Sequence, residues 1–101
     1  MKKDNNDFFQ DLYLVIKKRH KEKTKNSYTN SLIKEGKNKI AQKVNEETYE
    51  LIIDYLSGTK KRVIEEASDL IYHLFVLLYS KNIDLKDIKK ELKKRKNVRR
   101  K

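Results

Sequence analysis

Lys43-Val44-Asn45-Glu46-Glu47-Thr48-Tyr49-Glu50, the fifteen residues Leu51 to Glu65, and then Glu66-Ala67-Ser68-Asp69 form the stretch that decides the fold. It holds two acid pairs, Glu47/Glu50 and Glu66/Asp69, each spaced i, i+3. On a helix that spacing puts both carboxylates on one face about one turn apart. Like charges so placed repel, and a helix built only for stability avoids them. Two such pairs in neighbouring helical segments suggest a cation between them.

The segments around the acids read as two long helices. Ile40, Val44, Glu47 and Leu51 lie along one line of a helix from about Lys37 to Ser57. Ala41, Thr48, Ile52 and Tyr55 lie on the adjoining line. Gly58 stops this helix, and Thr59 caps the next, which runs from about Lys60 to Ser80. There Val63, Glu66, Leu70, His73 and Leu77 share one line. An acid interrupts each apolar stripe. A buried, unpaired carboxylate costs several kcal/mol, so each needs a pairing charge, a proton or a metal. From Leu70 to Tyr79 every residue but His73 is apolar or aromatic. A helix apolar nearly all round is buried on all sides, which in so small a chain calls for a second subunit.

The outer elements follow from caps and spacing. Asn5 or Asn6 caps a first helix, with Asp7 in its first turn and Phe8, Leu12, Val15, Ile16 and Arg19 along one side. Thr24 to Asn26 read as a loop. Ser27 or Thr29 caps a short helix that ends at Gly36 in a left-handed cap. Lys81-Asn82 ends the fourth helix. Asp84 caps a last helix with Leu85, Ile88 and Leu92 as its apolar edge. The expectation is an all-α, antiparallel helical bundle of four to five helices over residues 1–96, completed by homo-oligomerisation. Residues 97–101 form a basic tail.

Composition agrees. The chain has 101 residues, no Pro, two Gly and 41% charged residues. It has little apolar material for a core of its own, so a homodimer or larger assembly is expected. There is no Cys, which excludes disulfides, thiolate chemistry and Cys-based zinc sites. No apolar run reaches the length of a membrane span. The N-terminus lacks a secretory pattern, and a cytoplasmic protein is expected. The net charge of +11 is carried by the ends. Residues 86–101 hold ten Lys/Arg against Asp87 and Glu91, and residues 17–25 hold six against Glu22. Residues 26–85 hold eight against nine acids. Basic ends of this kind are solvated more often than they are recognition elements. Nucleic-acid binding through them is the reading from a different class.

Glu50 and Glu66 stand at equal distance from the Gly58-Thr59 turn. In an antiparallel hairpin the two acid pairs therefore meet at one height. Four converging carboxylates suit a hard cation such as Mg²⁺, which commonly bridges to substrate phosphates. The competing reading pairs these acids with Lys43, Lys60 or Arg62. A di-iron centre is disfavoured because it wants Glu-x-x-His.

Glu46-Glu47-x-x-Glu50 followed by Glu66-x-x-Asp69 resembles the metal-binding pattern of the all-α nucleoside triphosphate pyrophosphatases, the MazG-like superfamily. Ser27-Tyr28-Thr29-x-Ser31-Leu32, Gly36, Ile40-Ala41-Gln42-Lys43-Val44 and Asp69-Leu70-Ile71-Tyr72-His73-Leu74-x-Val76-Leu77-Leu78 are similar to the phosphoribosyl-ATP pyrophosphatases. The resemblance covers about Phe8 to Lys94. It departs at Asn45, where the family usually has Gly. It implies Mg²⁺-dependent hydrolysis of phosphoribosyl-ATP to phosphoribosyl-AMP and pyrophosphate, in histidine biosynthesis. A house-cleaning nucleoside triphosphate pyrophosphatase is the alternative within the superfamily. The implied Mg²⁺ ligands are Glu47, Glu50, Glu66 and Asp69, with Glu46 as a further acid or the group that orients the attacking water. The resemblance also implies Lys43, and more weakly Lys39 and Lys37, as candidate phosphate contacts, and Tyr28 as a candidate substrate contact. His73, one turn beyond Asp69, is read either as a donor that fixes the Asp69 carboxylate or as core filling. His20 reads as surface, and Tyr72 as core or interface.

Overall fold

The computed structural model describes residues 7–23 and 27–98. These form five helices: α1 (Phe8–Lys21), α2 (Tyr28–Glu35), α3 (Lys37–Ser57), α4 (Lys60–Ser80) and α5 (Leu85–Val98). No strand occurs among the described residues. No helix there is long and apolar enough to cross a membrane. The expected Asn5 or Asn6 cap and the Thr24–Asn26 loop lie outside the described residues; of the expected tail 97–101, residues 97 and 98 belong to α5 and the rest lies outside.

Local chemistry sets the helix ends. Asp7 caps α1 itself, accepting from the Gln10 N–H at 3.4 Å. Ser27 caps α2 and accepts from Asn30 N–H; Thr59 caps α4 and accepts from Arg62 N–H. Gly36 ends α2 at φ +102°, a conformation that side chains resist. Gly58 ends α3 for another reason than a left-handed turn, because its φ is −100°. A Cβ there would lie 2.6 Å from Asp54 Oδ1 and 2.9 Å from Asp54 Cα. Asn82 follows α4 at φ +63°. The N–H of Ile83 returns to Leu78 O, and that of Asn82 to Tyr79 O, each at 2.9 Å. This closes a Schellman turn. Asp84 accepts from Lys86 N–H, and Asp87 reaches back to Asp84 N–H, which together start α5.

Helices α3 and α4 pack along each other as an antiparallel hairpin, and α1 and α2 dock against its open end. The core there is Tyr13, Ile16, Leu32, Ile40, Phe75, Val76 and Leu78. On the expected apolar side of α1, Ile16 is buried and Leu12 packs against the core, but the rest of the face differs. Phe8 and Val15 are exposed, while Tyr13 is buried and donates its hydroxyl to Ile83 O at 2.8 Å. The aromatic row of α4 selects this face: Tyr13 packs edge-on against both Phe75 and Tyr79. His20 is likewise no simple surface residue, since its Nδ1 lies 2.7 Å from the Tyr79 hydroxyl.

The turn end of the hairpin stands clear of the core. Tyr49, Ile52, Ile53, Tyr55, Leu56 and Ile64 are all exposed there. The expected second line of α3 is thus bare at Ile52 and Tyr55. Leu74 is also partly exposed, so α4 is not buried on every side. The radius of gyration is 15.4 Å, whereas a compact chain of this length has about 13 Å. The projecting hairpin and α5, exposed from Lys86 to Lys96, both add to the excess.

Candidate active site

Helix α3 supplies Lys43, Glu46, Glu47 and Glu50; α4 supplies Arg62, Glu66, Asp69 and His73; the start of α2 supplies Tyr28. Glu47, Glu66 and Asp69 each present one oxygen, all within 4.8 Å of one another. Glu47 is 8% exposed and Glu66 4%, while Asp69 opens to solvent. One oxygen of each buried acid, Glu47 Oε1 and Glu66 Oε1, has no hydrogen-bond partner. Buried acceptors left unpaired are rare and call for an explanation. Two of them among three carboxylates fit a site that takes a hard cation. Glu50, the fourth expected ligand, is exposed and lies outside this group of three.

The electrostatics agree. Burial raises the Glu47 pKa, and repulsion from Asp69, Glu66 and Glu50 raises it further, against a smaller pull from Lys43. The nearby Glu66 carboxylate, through contact and through its charge, raises the Glu50 pKa. Glu47 and Glu50 therefore resist carrying their negative charge.

Protein cations meet part of that demand. Arg62 Nη2 donates to Glu66 Oε2 at 2.7 Å. Pairing with Arg62 thus holds for one acid of the four, on one of its two oxygens. Lys43 lies 3.5 Å from Glu46, and its charge also acts on Glu47 and Tyr28. Burial lowers the Lys43 pKa, but Tyr28, Glu46 and Glu47 outweigh it and the net shift is upward.

Glu46 lies outside the cluster. Its carboxylate takes a 3.0 Å bond from Gln42 Nε2 and the contact with Lys43. The Gln42 bond, opposed by slight burial and helped by Lys43 and Lys39, lowers its pKa. His73 is buried, and its Nδ1 lies 2.9 Å from the Asp69 backbone carbonyl, not the Asp69 carboxylate. That carbonyl only accepts, so Nδ1 donates to it. In the neutral ring Nε2 then accepts from the Tyr28 hydroxyl at 2.8 Å. Tyr28 is half exposed and stacks on Tyr72 with centroids 6.4 Å apart. The Tyr72 hydroxyl bonds Thr29, which is wholly buried. Tyr72 and Thr29 therefore belong to the site's rim. Sequence reasoning missed this pairing, and no local spacing signals it. The Arg62–Glu66 pair, by contrast, follows from its i, i+4 spacing.

A helical hairpin with buried, part-unpaired acids on its facing sides, rimmed by Lys43 and Tyr28, defines an all-α protein with a buried carboxylate cluster. The family model described as Phosphoribosyl-ATP pyrophosphohydrolase matches residues 9–96. The Phosphoribosyl-ATP pyrophosphatase of Ignicoccus hospitalis is 47% identical over 89 residues, covering 88% of this chain and 87% of that protein. That of Clostridium acetobutylicum is 48% identical over 92 residues, covering 91% and 84%. The Histidine biosynthesis bifunctional protein of Bacteroides thetaiotaomicron is 49% identical over 88 residues, covering 87% of this chain but 43% of that protein. The chain thus spans less than half of the bifunctional relative and most of the two shorter ones. It belongs to the phosphoribosyl-ATP pyrophosphohydrolase family, a family of hydrolases.

Proposed function

We propose that this chain hydrolyses phosphoribosyl-ATP to phosphoribosyl-AMP and pyrophosphate in histidine biosynthesis, with Mg²⁺ held by Glu47, Glu50, Glu66 and Asp69. The observation that carries the metal is the pair of unpartnered buried oxygens on Glu47 and Glu66. The names of the relatives support the substrate. Bound Mg²⁺ supplies Lewis acidity, which neutralises phosphate charge and lowers the pKa of an attacking water. Lys43 holds a phosphate oxygen from the rim of the cluster. Lys39, one turn earlier on α3, adds positive charge on that side. Glu46, with its lowered pKa, stays an acceptor and orients the attacking water. Tyr28 contacts the substrate, and His73 holds the Tyr28 hydroxyl.

The protein works as a homodimer or larger assembly. The exposed Tyr49, Ile52, Ile53, Tyr55, Leu56 and Ile64 support this, since so many large apolar side chains on one hairpin end mark an association surface. Sedimentation would show a monomer if that surface faces only water.

The deciding assay is pyrophosphate release from phosphoribosyl-ATP against a panel of nucleoside triphosphates, with and without Mg²⁺. Turnover of phosphoribosyl-ATP alone, and only with the metal, is expected. Equal turnover of the free triphosphates would replace the substrate. Turnover in excess chelator would remove the metal.

A further inference from the structure

Arg62 is anchored at the start of α4, where its backbone N–H donates to Thr59 Oγ1 at 3.2 Å. Its guanidinium then spans three acids. Nη2 donates to Glu66 Oε2 at 2.7 Å and Nη1 to Glu65 Oε1 at 2.8 Å, while Nε faces Asp54 Oδ2 on α3 at 3.8 Å. The Glu66 side chain is 6% exposed and that of Arg62 52%. A surface cation thus holds a buried acid by one oxygen, and the other, Oε1, is left without a partner.

We infer that Arg62 is a positioning residue: it fixes Glu66 by Oε2, leaves Oε1 for the cation, and so sets the affinity of the cluster for a divalent metal. This rests on the metal reading above. Unheld, Glu66 faces repulsion from Glu47, Asp69 and Glu50 and has flexible torsions by which to turn away. Binding would then have to restore its orientation at an entropic cost. A charge-assisted bond to one oxygen removes that freedom and does not block the other oxygen. The planar fork matters because Glu65 and Glu66 are taken by different nitrogens of one rigid group. Lysine offers a point charge on a flexible stem and cannot do both in fixed geometry. The opposing account makes Arg62 a resident counter-ion that the metal must displace. The two accounts predict opposite signs on removing it.

The test is Mn²⁺ titration, followed by loss of the free-ion signal in electron paramagnetic resonance, with circular dichroism to verify folding. Arg62→Gln should weaken Mn²⁺ binding roughly 10- to 100-fold, the usual effect of losing a group that orients a ligand. Arg62→Lys should recover only part of the affinity. It also serves as the test if the glutamine variant fails to fold. Asp54→Asn removes the contact across the hairpin and should leave Mn²⁺ affinity unchanged, which separates bracing of the hairpin from orientation of Glu66. Unchanged or tighter binding in Arg62→Gln overturns the inference. If the wild type binds Mn²⁺ and Glu47→Gln does not, that result leaves the metal reading standing. A wild type that binds no Mn²⁺ overturns both.

Discussion

Glu47→Gln should have opposite effects on stability with and without metal. Glu47 is buried, one of its oxygens is unpaired, and Asp69, Glu66 and Glu50 repel its charge. Glutamine keeps the shape, removes the charge and turns one oxygen into a donor facing two carboxylates. An unsatisfied buried polar group costs about 1–3 kcal/mol. In chelator at neutral pH the variant should recover much of that. For a chain this short, 1 kcal/mol moves the melting temperature by roughly 4–8 °C, so an increase of about 5–10 °C is expected. With Mg²⁺ the order reverses. A ligand at a hundred times its Kd stabilises the wild type by about 2.7 kcal/mol, and the variant, short of a ligand, should gain little. Turnover should be abolished while far-ultraviolet circular dichroism is unchanged. Thermal melts of both proteins in chelator and in Mg²⁺ measure all of this. An equal or lower melting temperature for the variant in chelator would refute the reasoning, because Glu47 would then be satisfied without a cation.

The other predictions rest on separate contacts. In the metal-free protein Glu47 and Glu50 have raised pKa values, so the folded state binds more protons than the unfolded one. Their contribution to stability should fall as pH rises from the unfolded value, about 4.3, through the raised folded values. Urea midpoints in chelator should show this slope for the wild type and a shallower one for Glu47→Gln; parallel slopes would contradict it. Gly58→Ala places a Cβ 2.9 Å from Asp54 Cα and 3.0 Å from its carbonyl oxygen. It should cost about 1–3 kcal/mol, as overpacking does, and a melt that matches the wild type would rule the clash out. Tyr28→Phe removes the donor to His73 Nε2. Losing one such bond is worth about 1 kcal/mol, so kcat/KM for phosphoribosyl-ATP should fall several-fold with the fold intact. Unchanged kinetics would take Tyr28 out of the site.

The backbone plan was legible because it is written locally. Caps at Ser27, Thr59 and Asp84, the glycines at 36 and 58, and the stripes through Glu47 and Glu66 act within a turn or two of themselves. The helix bounds of α3 and α4 follow from them, and so does the equal height of the two acid pairs about the turn. Three of the four expected carboxylates were legible in the same way, while Glu50 stays exposed outside their group. The gathering of Glu47, Glu66 and Asp69 needed only the hairpin.

Whatever joins distant segments was settled by packing. The inward face of α1 depends on the Phe75–Tyr79 row that it meets, and an isolated amphipathic pattern rich in aromatics does not choose between Val15 and Tyr13. The Tyr28–His73 and Thr29–Tyr72 bonds link residues more than forty positions apart, where no period carries information. Side-chain torsions decided the rest. They placed Glu46 with Gln42 and Lys43 outside the cluster, and they gave Glu66 to Arg62 by one oxygen. The sequence by itself determined which charges would meet, because helical spacing and a short turn fix backbone position. Only the tertiary structure decided which oxygens stayed without partners, because hydrogen bonds form between atoms placed by packing.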